Sequence, residues 1–343
     1  MPQSSASHTL RSQRGPSLGG HRDPFPGLRW VRLPLPFELH HINVWLLDDG
    51  DGWTLVDTGL DNSAIRDTWK SLFTTALAGR PIRRIIVTHY HPDHMGLTHY
   101  LWERFQPQLL MSADTAARTR RLLRGIAAGD RERIATFCRA HGIGEVERYT
   151  AFVTGEGYRR MVSGLPEAIT IIDEDSRLHI GGREWQPLIA NGHAPGHTSL
   201  YCAEAGLLIA GDQILPSISP NISVHANNRD EDALHAYLSS LQRFARLDGD
   251  TAVLPSHGRI FTGLHGRLDA IAAHHRERLA KVRSLCTQPL CLAEVTPRLF
   301  RKTLAGNDYP LALGEALAHL VYLANRNELD VVEEEGVQRF VIP

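Results

Sequence analysis

The stretch Thr88-His89-Tyr90-His91-Pro92-Asp93-His94 places four potential metal ligands within six residues. It follows Ile85-Ile86-Val87, a β-branched run typical of a buried strand, so the ligands are predicted to lie at a strand end. Residues i and i+2 on extended backbone point to the same side, so His89 and His91 are predicted to bind one cation, while Asp93 and His94 reach towards another. Imidazole and carboxylate together suit zinc, iron or manganese better than calcium or magnesium.

The order and spacing of these residues resemble the HxHxDH signature of the metallo-β-lactamase-fold hydrolases. The alternative is a polar loop that is rich in histidine by chance, in a chain with 19 histidines, but this order and spacing disfavour it. The resemblance covers about Leu28 to His265. It implies an α/β protein built as a four-layer αββα sandwich, with the site on loops at the ends of strands.

Length and composition set broad limits. The 343 residues suffice for one large domain and a small one. Hydrophobic content of 42% and charged content of 22% are ordinary for a globular protein, and a net charge of −1 gives no global attraction to nucleic acid or membranes. The four cysteines are scattered, and no apolar run approaches the roughly 18 residues that span a bilayer. We therefore predict a cytoplasmic protein without a membrane partner.

The chain divides into segments by composition and periodicity. Residues 1–27 are rich in Ser, Gly, Arg and Pro, which predicts a disordered leader, and residues 28–265 are predicted to form the hydrolase domain. Within it, residues 113–166 show helical spacing and no strand signal, which predicts a helical insertion that folds over the site as a lid. Three polar side chains of the insertion would contact a polar or anionic substrate or, as we favour, lie in solvent: Tyr158, Arg159 and Arg160.

The other candidate site residues also close predicted strands. Asp57 ends the third strand of an opening β-meander, and the resemblance implies that it supports the metal loop; a simple turn aspartate is the alternative. The remaining candidates follow strands predicted at 185–189, 207–210 and 252–254, namely His193 and His197, Asp212, and His257. Side chains on loops at the ends of rigid strands are well suited to hold a metal.

The resemblance implies a complete set of ligands for two cations. His89, His91 and one histidine of the 193–197 stretch would hold the first metal. Asp93, His94 and His257 would hold the second, and Asp212 would bridge them. Of the two histidines in the 193–197 stretch, His193 aligns with the ligand and is favoured, with His197 beside the site. The stretch departs from the family pattern in having Asn191 in place of proline and Ala194 in place of Thr or Ser.

This arrangement predicts hydrolytic chemistry. Two divalent cations, zinc in our prediction with iron or manganese as alternatives, would share a water and lower its pKa from about 15.7 towards about 7. The resulting bridging hydroxide would attack a carbonyl or phosphoryl centre. Asp93 is predicted to take or shuttle the proton, and His197 or a tyrosine of the insertion to assist the leaving group.

Residues 266–343 are predicted to form three helices and a β-hairpin. This order resembles the winged-helix module that is attached to some members of the family. The segment has ten Lys and Arg against ten Asp and Glu, and Ala312–Ala324, the would-be recognition helix, has no Lys or Arg. Binding to nucleic acid needs a basic face, so a DNA-binding regulator is disfavoured. A packing or homodimer role, or one wall of the substrate pocket, is favoured instead.

The substrate class is narrowed by the same resemblance. True β-lactamases of this fold generally lack a bridging aspartate at the Asp212 position, which disfavours antibiotic hydrolysis. The resemblance to enzymes of the hydroxyacylglutathione hydrolase type and to lactonases predicts cleavage of a thioester, ester or lactone in a small molecule. A metal-dependent phosphodiesterase or ribonuclease is the first alternative. A single-iron enzyme similar to persulfide dioxygenases is the second, and the intact second ligand group disfavours it.

Overall fold

Two β-sheets form the centre of the protein. We analysed a computed structural model, and the structure describes residues 15–300, 304, 306 and 308–343. The first sheet has its strands in chain order: β1 His21–Phe25, β2 Leu28–Pro34, β3 His41–Asp49, β4 Gly52–Val56, β5 Ile82–Ile86, β6 Gln108–Met111 and β7 Thr170–Ile171. The second has the order β12-β11-β10-β9-β8: β8 Leu178–Ile180, β9 Arg183–Ala190, β10 His197–Cys202, β11 Leu207–Gly211 and β12 Ala252–Pro255.

Helices connect these strands and follow them. Those up to the insertion are α1 Ser63–Thr74, α2 Pro92–Met95 and α3 Thr98–Phe105. The insertion contains α4 Ala113–Arg124, α5 Asp130–Ala140, α6 Val146–Val153 and α7 Tyr158–Met161, in agreement with its helical spacing. After it come α8 Ala233–Phe244, α9 Leu264–Leu285, α10 Leu292–Leu299 and α11 Asp308–Ala324, then the hairpin strands β13 Asp330–Glu334 and β14 Val337–Val341.

The two sheets pack face to face, because alternate residues of each strand point to opposite sides. In β2, Trp30 points between the sheets and stacks on Trp45 with ring centroids 5.6 Å apart, whereas Val31 points towards the helices. In β11, Ile209 points between the sheets and Leu208 towards the helices of the other side. The layers are therefore helices, sheet, sheet and helices, in a mixed α/β fold.

Parallel strand pairs bring the carboxyl ends of several strands to the same edge of the sandwich. Strands β2 to β4 form an antiparallel meander, but β4 pairs with β5, and β11 with β12, in parallel. Parallel neighbours need a crossover connection, and helices α1 and α8 provide it. Helix α1 begins at Asn62, whose side chain accepts a hydrogen bond from the Ile65 N–H. The carboxyl ends of β4, β5, β11 and β12 consequently carry neighbouring loops.

The predicted leader requires a correction. Residues 1–14 lie outside the described part of the chain, but residues 21–25 form strand β1, which pairs antiparallel with β2. Its sequence is polar and contains Pro24, which is compatible with an edge strand because one side of such a strand makes no ladder bonds. The ordered protein therefore begins before residue 28.

The insertion and the C-terminal region both pack on the two-sheet body. Ala116 and Tyr158 of the insertion lie in the core next to the first sheet, and Phe137 and Tyr149 lie in the core next to the second. In the C-terminal region, helices α9 to α11 and the β13–β14 hairpin match the predicted elements. The winged-helix interpretation of this region stays a prediction. None of the helices in the described residues has the length and apolar character needed to cross a membrane.

Candidate metal centre

The loops that follow the strand ends bring seven polar side chains together at one edge of the sandwich. Four come from the loop after β5, which continues into α2 with Pro92 at its first position. His89 and His91 thus precede the helix, whereas Asp93 and His94 lie in it, and the rings of His89 and His94 are in contact with centroids 3.9 Å apart. The remaining side chains come from loops of the second sheet, and the complete set is His89, His91, Asp93, His94, His193, Asp212 and His257.

The first group contains three imidazoles. Nε2 of His89 lies 2.9 Å from Nδ1 of His91 and 3.2 Å from Nε2 of His193. The nitrogens of this group all lie within 4.8 Å of one another, so a single cation could contact all three.

The second group contains Asp93, His94 and His257. Oδ2 of Asp93 lies 3.5 Å from Nε2 of His94 and 3.4 Å from Nε2 of His257. Asp212 lies between the groups. Its Oδ2 is 3.6 Å from Nε2 of His193 and 3.5 Å from Nε2 of His94, and its Oδ1 is 3.4 Å from Nε2 of His257. The geometry thus places one carboxylate between the two groups.

Hydrogen bonds on the far side of each ring fix which nitrogen faces the centre. Nδ1 of His193 lies 2.9 Å from the Asn221 carbonyl oxygen, and Nδ1 of His257 lies 2.8 Å from that of His41. A carbonyl oxygen only accepts, so each Nδ1 carries the proton and each Nε2 presents a lone pair to the centre. Such partners orient the ring and raise its basicity as a ligand.

Asp57 performs the same task for the loop after β5. Its carboxylate accepts hydrogen bonds from the Thr88 N–H, the Thr88 hydroxyl and Nδ1 of His94, at 2.8, 2.9 and 2.8 Å. Since the Thr88 hydroxyl donates to Asp57, its oxygen accepts from Nδ1 of His89 at 3.0 Å. Asp57 has a φ of 61°, a backbone conformation that Asp and Asn adopt more readily than other L residues. One buried aspartate thereby orients two predicted ligands.

His197 is placed beside the centre and not in it. It is fully buried, and its Nε2 accepts a hydrogen bond from the Asp212 N–H at 3.1 Å. That lone pair is therefore unavailable to a cation, which supports His193 as the ligand of this stretch. Burial, followed by the neighbouring His193, holds the pKa of His197 well below its usual value. This placement argues against the predicted role of His197 as a proton donor to the leaving group, and it makes His197 a support for Asp212.

The residues present fit divalent cations. Nε2 of His94, Nε2 of His257 and Oδ1 of Asp212 are buried and have no hydrogen-bond partner in the part of the chain that the structure describes. Burial, with the charge of His193 next, lowers the pKa of His91 to about 3, so this ring is neutral and ligand-competent at neutral pH. Burial alone would lower the pKa of His257, but Asp212 and Asp93 outweigh it and raise the pKa to about 10. The two carboxylates thus require a positive charge, which a cation supplies as well as a proton does.

Two supports of the centre were not found from the sequence. The carbonyl groups of His41 and Asn221 orient ligands, but every residue has a carbonyl group, so no sequence signal marks them. Asn191, which departs from the family pattern, accepts a hydrogen bond from the Gly196 N–H at 2.9 Å and so closes the His193 loop.

The three polar residues singled out in the insertion are engaged away from the centre. The hydroxyl of Tyr158 is buried and lies 2.9 Å from the sulfur of Met95. Arg159 donates to backbone carbonyls of its own insertion, and exposed Arg160 pairs with Glu156 at 2.7 Å. The insertion therefore does not present these side chains to a substrate bound at the metal centre.

Comparisons with known proteins agree with this architecture. Residues 38–257 match the family model described as Metallo-beta-lactamase superfamily, and residues 279–342 match the model described as Metallo-beta-lactamase-like, C-terminal domain. A solved beta-lactamase domain protein from Burkholderia ambifaria is 35% identical, with 98% of this chain and 99% of that chain covered and a TM-score of 0.89. A metallo-beta-lactamase family protein from Thermus thermophilus is 28% identical, with coverage of 93% and 99% and a TM-score of 0.80. The probable metallo-hydrolase YqjP of Bacillus subtilis (strain 168) is 24% identical over 307 residues, which are 84% of this chain and 90% of the relative.

Proposed function

The chain belongs to the metallo-beta-lactamase superfamily, and from this premise we propose that it is a metal-dependent hydrolase that holds two divalent cations and cleaves a thioester, ester or lactone in a small molecule. His89, His91 and His193 would hold one cation, and Asp93, His94 and His257 the other. Zinc is the proposed metal, with iron or manganese as alternatives, because imidazole and carboxylate ligands suit these ions.

The position of Asp212 carries this proposal. One of its oxygens faces His193 and the other faces His257, at 3.6 and 3.4 Å. A carboxylate that faces both groups is suited to bridge two cations, whereas a centre for one cation would need only the first group. The intact second group, together with Asp212, disfavours the single-iron alternative. The YqjP relative, described as a probable metallo-hydrolase, supports hydrolysis as the reaction class.

The bound cations would supply the chemistry of a water acidified to a pKa of about 7 and of a Lewis acid for the substrate carbonyl. The protein's own residues would then orient the metal ligands and accept the proton of this water. Oδ2 of Asp93 faces His94 and His257, and we assign to its other oxygen the role of accepting a proton from the attacking water. His197 holds the backbone of Asp212, and Asp57 holds His94, so the ligands keep their positions while charge moves.

The surroundings of the centre support a small substrate. The insertion is hydrogen-bonded to the loop after β11: Asn227 donates to the Val153 carbonyl at 2.7 Å, and the Tyr149 hydroxyl accepts from the Ala226 N–H at 3.2 Å. Helix α11 closes the same loop from the other side, where the Val224 N–H donates to the Gly314 carbonyl at 3.0 Å. The loop that carries Asn221 is thereby held between the insertion and the C-terminal region, which supports the wall role considered for the latter.

Phosphodiester cleavage is the second candidate. Two cations bridged by a carboxylate would also suit in-line displacement at phosphorus. Arg118, which has no carboxylate partner among the described residues, lies next to Tyr90 beside the centre. The balanced charge of the whole chain argues against a long polyanion as the substrate. The remaining predictions are a cytoplasmic location, a winged-helix role and a homodimer. Four buried cysteines that form no disulfide are compatible with a reducing compartment.

Metal analysis and a substrate panel test the proposal. We expect about two equivalents of zinc per chain after reconstitution, and chelator-sensitive hydrolysis of at least one thioester, ester or lactone. Asp93→Ala should abolish turnover, whereas Asp175→Ala, a change at an exposed carboxylate of the β7–β8 loop, should not alter it. Cleavage of bis-nitrophenyl phosphate without carboxylic ester cleavage would instead establish the second candidate. One equivalent of iron with oxygen consumption would refute both.

A further inference from the structure

An arginine that has no acceptor among the described residues lies beside the metal centre. Arg118 of helix α4 is half-buried, and its guanidinium carbon lies 5.7 Å from the centroid of the Tyr90 ring. Tyr90 in turn packs edge-on against His91, with ring centroids 4.6 Å apart. Within the described chain, neither the Arg118 guanidinium nor the Tyr90 hydroxyl has a hydrogen-bond or ion-pair partner. The Tyr90 ring thus contacts both the Arg118 guanidinium and His91, a predicted metal ligand. The free donors of Arg118 and Tyr90 therefore lie near that ligand.

Other half-buried arginines of this protein are satisfied. Arg84 pairs with Asp49 at 2.6 Å, and Arg32 donates to the Gly258 carbonyl at 2.8 Å. A guanidinium has five N–H donors, and leaving such a group partly desolvated without an acceptor is costly. Within the described part of the chain, the N–H donors of Arg118 are therefore free to bind the acceptor atoms of a ligand.

The charge of Arg118 acts on the groups around it. After burial, Arg118 is the next cause that lowers the pKa of His225, to about 4, and of neighbouring Arg121. Glu231 acts on Tyr90 through its charge, but it forms no ion pair with Arg118 and is hydrogen-bonded to Asn228 at 3.1 Å. None of the carboxylates in the described residues therefore forms an ion pair with Arg118.

We propose that Arg118 and the Tyr90 hydroxyl form a subsite for an anionic group of the substrate, so that the molecule cleaved at the metal centre carries a carboxylate or a phosphate. This inference rests on the proposed function and specifies its substrate class. Both anions accept two parallel hydrogen bonds from a guanidinium, and the tyrosine hydroxyl supplies a further donor. The anion belongs either to the acyl part or to the leaving thiol or alcohol.

Binding of substrate analogues that cannot be hydrolysed tests the subsite independently of turnover. The analogues are thioethers, in which a CH₂ group replaces the thioester carbonyl group. Three forms are used: neutral, with a carboxylate on the acyl side, and with a phosphate on the thiol side. Isothermal titration of the zinc-loaded full-length protein should show tighter binding of one anionic form than of the neutral form, by about tenfold or more, because hydrogen bonds to charged groups are the strong ones. The form that is preferred identifies the side that carries the anion.

Variants then assign the preference to Arg118. Arg118→Gln should abolish it, and Tyr90→Phe should reduce it by about two- to tenfold, the net effect of one hydrogen bond. Arg118→Lys should retain part of it, because charge remains without the planar fork. Arg120→Gln is the matched control, since it removes an exposed cation from the same helix and should leave the preference intact. Zinc content and thermal unfolding of each variant show that it is folded.

Several results would overturn the subsite. These are equal binding of neutral and anionic analogues by the wild type, an unchanged preference in Arg118→Gln, and an equal loss in Arg120→Gln. Failure of the subsite is distinguishable from failure of the proposed function. If the wild type prefers an anionic thioether but hydrolyses no thioester, ester or lactone, only the proposed reaction is wrong. If it hydrolyses neutral and anionic thioesters with the same kcat/KM and binds their thioethers equally, only the subsite is wrong.

Discussion

The carboxylate of Asp57 lies 2.8 Å from Nδ1 of His94, and the same carboxylate oxygen lies 2.9 Å from the hydroxyl of Thr88. A single side chain at the end of β4 thereby fixes two imidazoles of the loop after β5. The group that is hydrogen-bonded to the other ring nitrogen of a ligating histidine sets the orientation and basicity of the ring. Asp57 should therefore raise metal affinity without contacting the metal.

The first prediction concerns Asp57→Asn. We expect zinc affinity to fall by about 10- to 100-fold, because the neutral amide cannot accept from both Thr88 and His94 with the strength of a carboxylate. Asn tolerates the positive φ at this position, so backbone strain will not confuse the result. Competition with a chromogenic chelator measures the affinity. Asp49→Asn, which removes the half-buried partner of Arg84 at the far end of the strands, should leave zinc affinity unchanged.

The second prediction separates the two histidines of the 193–197 stretch. His193→Ala should lower the zinc content from about two equivalents to about one. His197→Ala should keep about two equivalents but lose about 1–3 kcal/mol of unfolding free energy, because the Asp212 N–H is left unpaired in a buried place. Elemental analysis and urea unfolding provide the two measurements. Equal loss of zinc in both variants would contradict our assignment of the ligand.

The third prediction uses two glycines of the β10–β11 hairpin. Gly206 and Gly211 have φ of 60° and 57°, so alanine at either position costs about 1–2 kcal/mol in backbone conformation. A Cβ at Gly206 meets nothing within 4 Å, whereas a Cβ at Gly211 would lie 2.5 Å from Nε2 of His197. Gly211→Ala should therefore also displace His197 and Asp212 and reduce zinc binding, and Gly206→Ala should not. Zinc titration of both variants checks the difference.

The fourth prediction concerns acid stability of the C-terminal region. Oγ of Ser219 lies 2.9 Å from Nε2 of His275, and Nδ1 of His275 lies 3.3 Å from Nε2 of His319. Nδ1 of His319 donates to the Glu315 carbonyl, and burial lowers the pKa of His275 to about 3, so that ring is neutral at pH 7. Burial lowers the pKa of His319 to about 4, against the backbone hydrogen bond to Glu315, and Arg278 and His274 lower it further.

The sign of the effect follows from proton binding. Between pH 6.5 and about 4 the unfolded chain binds a proton at His319 and the folded protein does not, so the stability contributed by this residue falls as the pH falls through that range. The loss amounts to about 3 kcal/mol. His319→Gln keeps an acceptor for His275 but does not titrate. Urea unfolding of metal-free protein at pH 7 and pH 4.5 should show a smaller pH dependence in the variant, and an unchanged one would refute the assignment.

Much of the centre could be predicted from the sequence, because metal chemistry limits the side chains that serve. Histidine and aspartate follow the predicted strands repeatedly, first after Val87 and then after later strands. Their recurrence at strand ends marks them as candidate ligands. The choice between His193 and His197 is not decided by spacing alone, since both follow the same strand. It is decided by a contact across the fold, the Asp212 N–H on His197.

Other features depend on contacts that no local pattern specifies. Strand β1 has a polar sequence typical of a loose terminus, and only its pairing with β2 makes it a strand. The two arginines beside Tyr158 favour solvent as its surroundings, yet the packing of the insertion on the first sheet buries it. Arg118 does not stand out among the many arginines of the insertion, because only the three-dimensional structure shows that no described residue pairs with it.

The hydrogen bonds of Asn221 have a consequence for dividing this protein into parts. Its carbonyl orients His193, while its side chain donates to the Leu311 carbonyl at 3.5 Å and to Glu315 at 3.4 Å, both on helix α11. The family match that contains the ligands ends at residue 257. A fragment that ends there would retain every ligand atom. It would lose the α11 contacts of Asn221, the residue that orients His193. A truncation at this boundary would therefore leave the metal ligands less firmly oriented. A shortened protein should be made only if it includes α11.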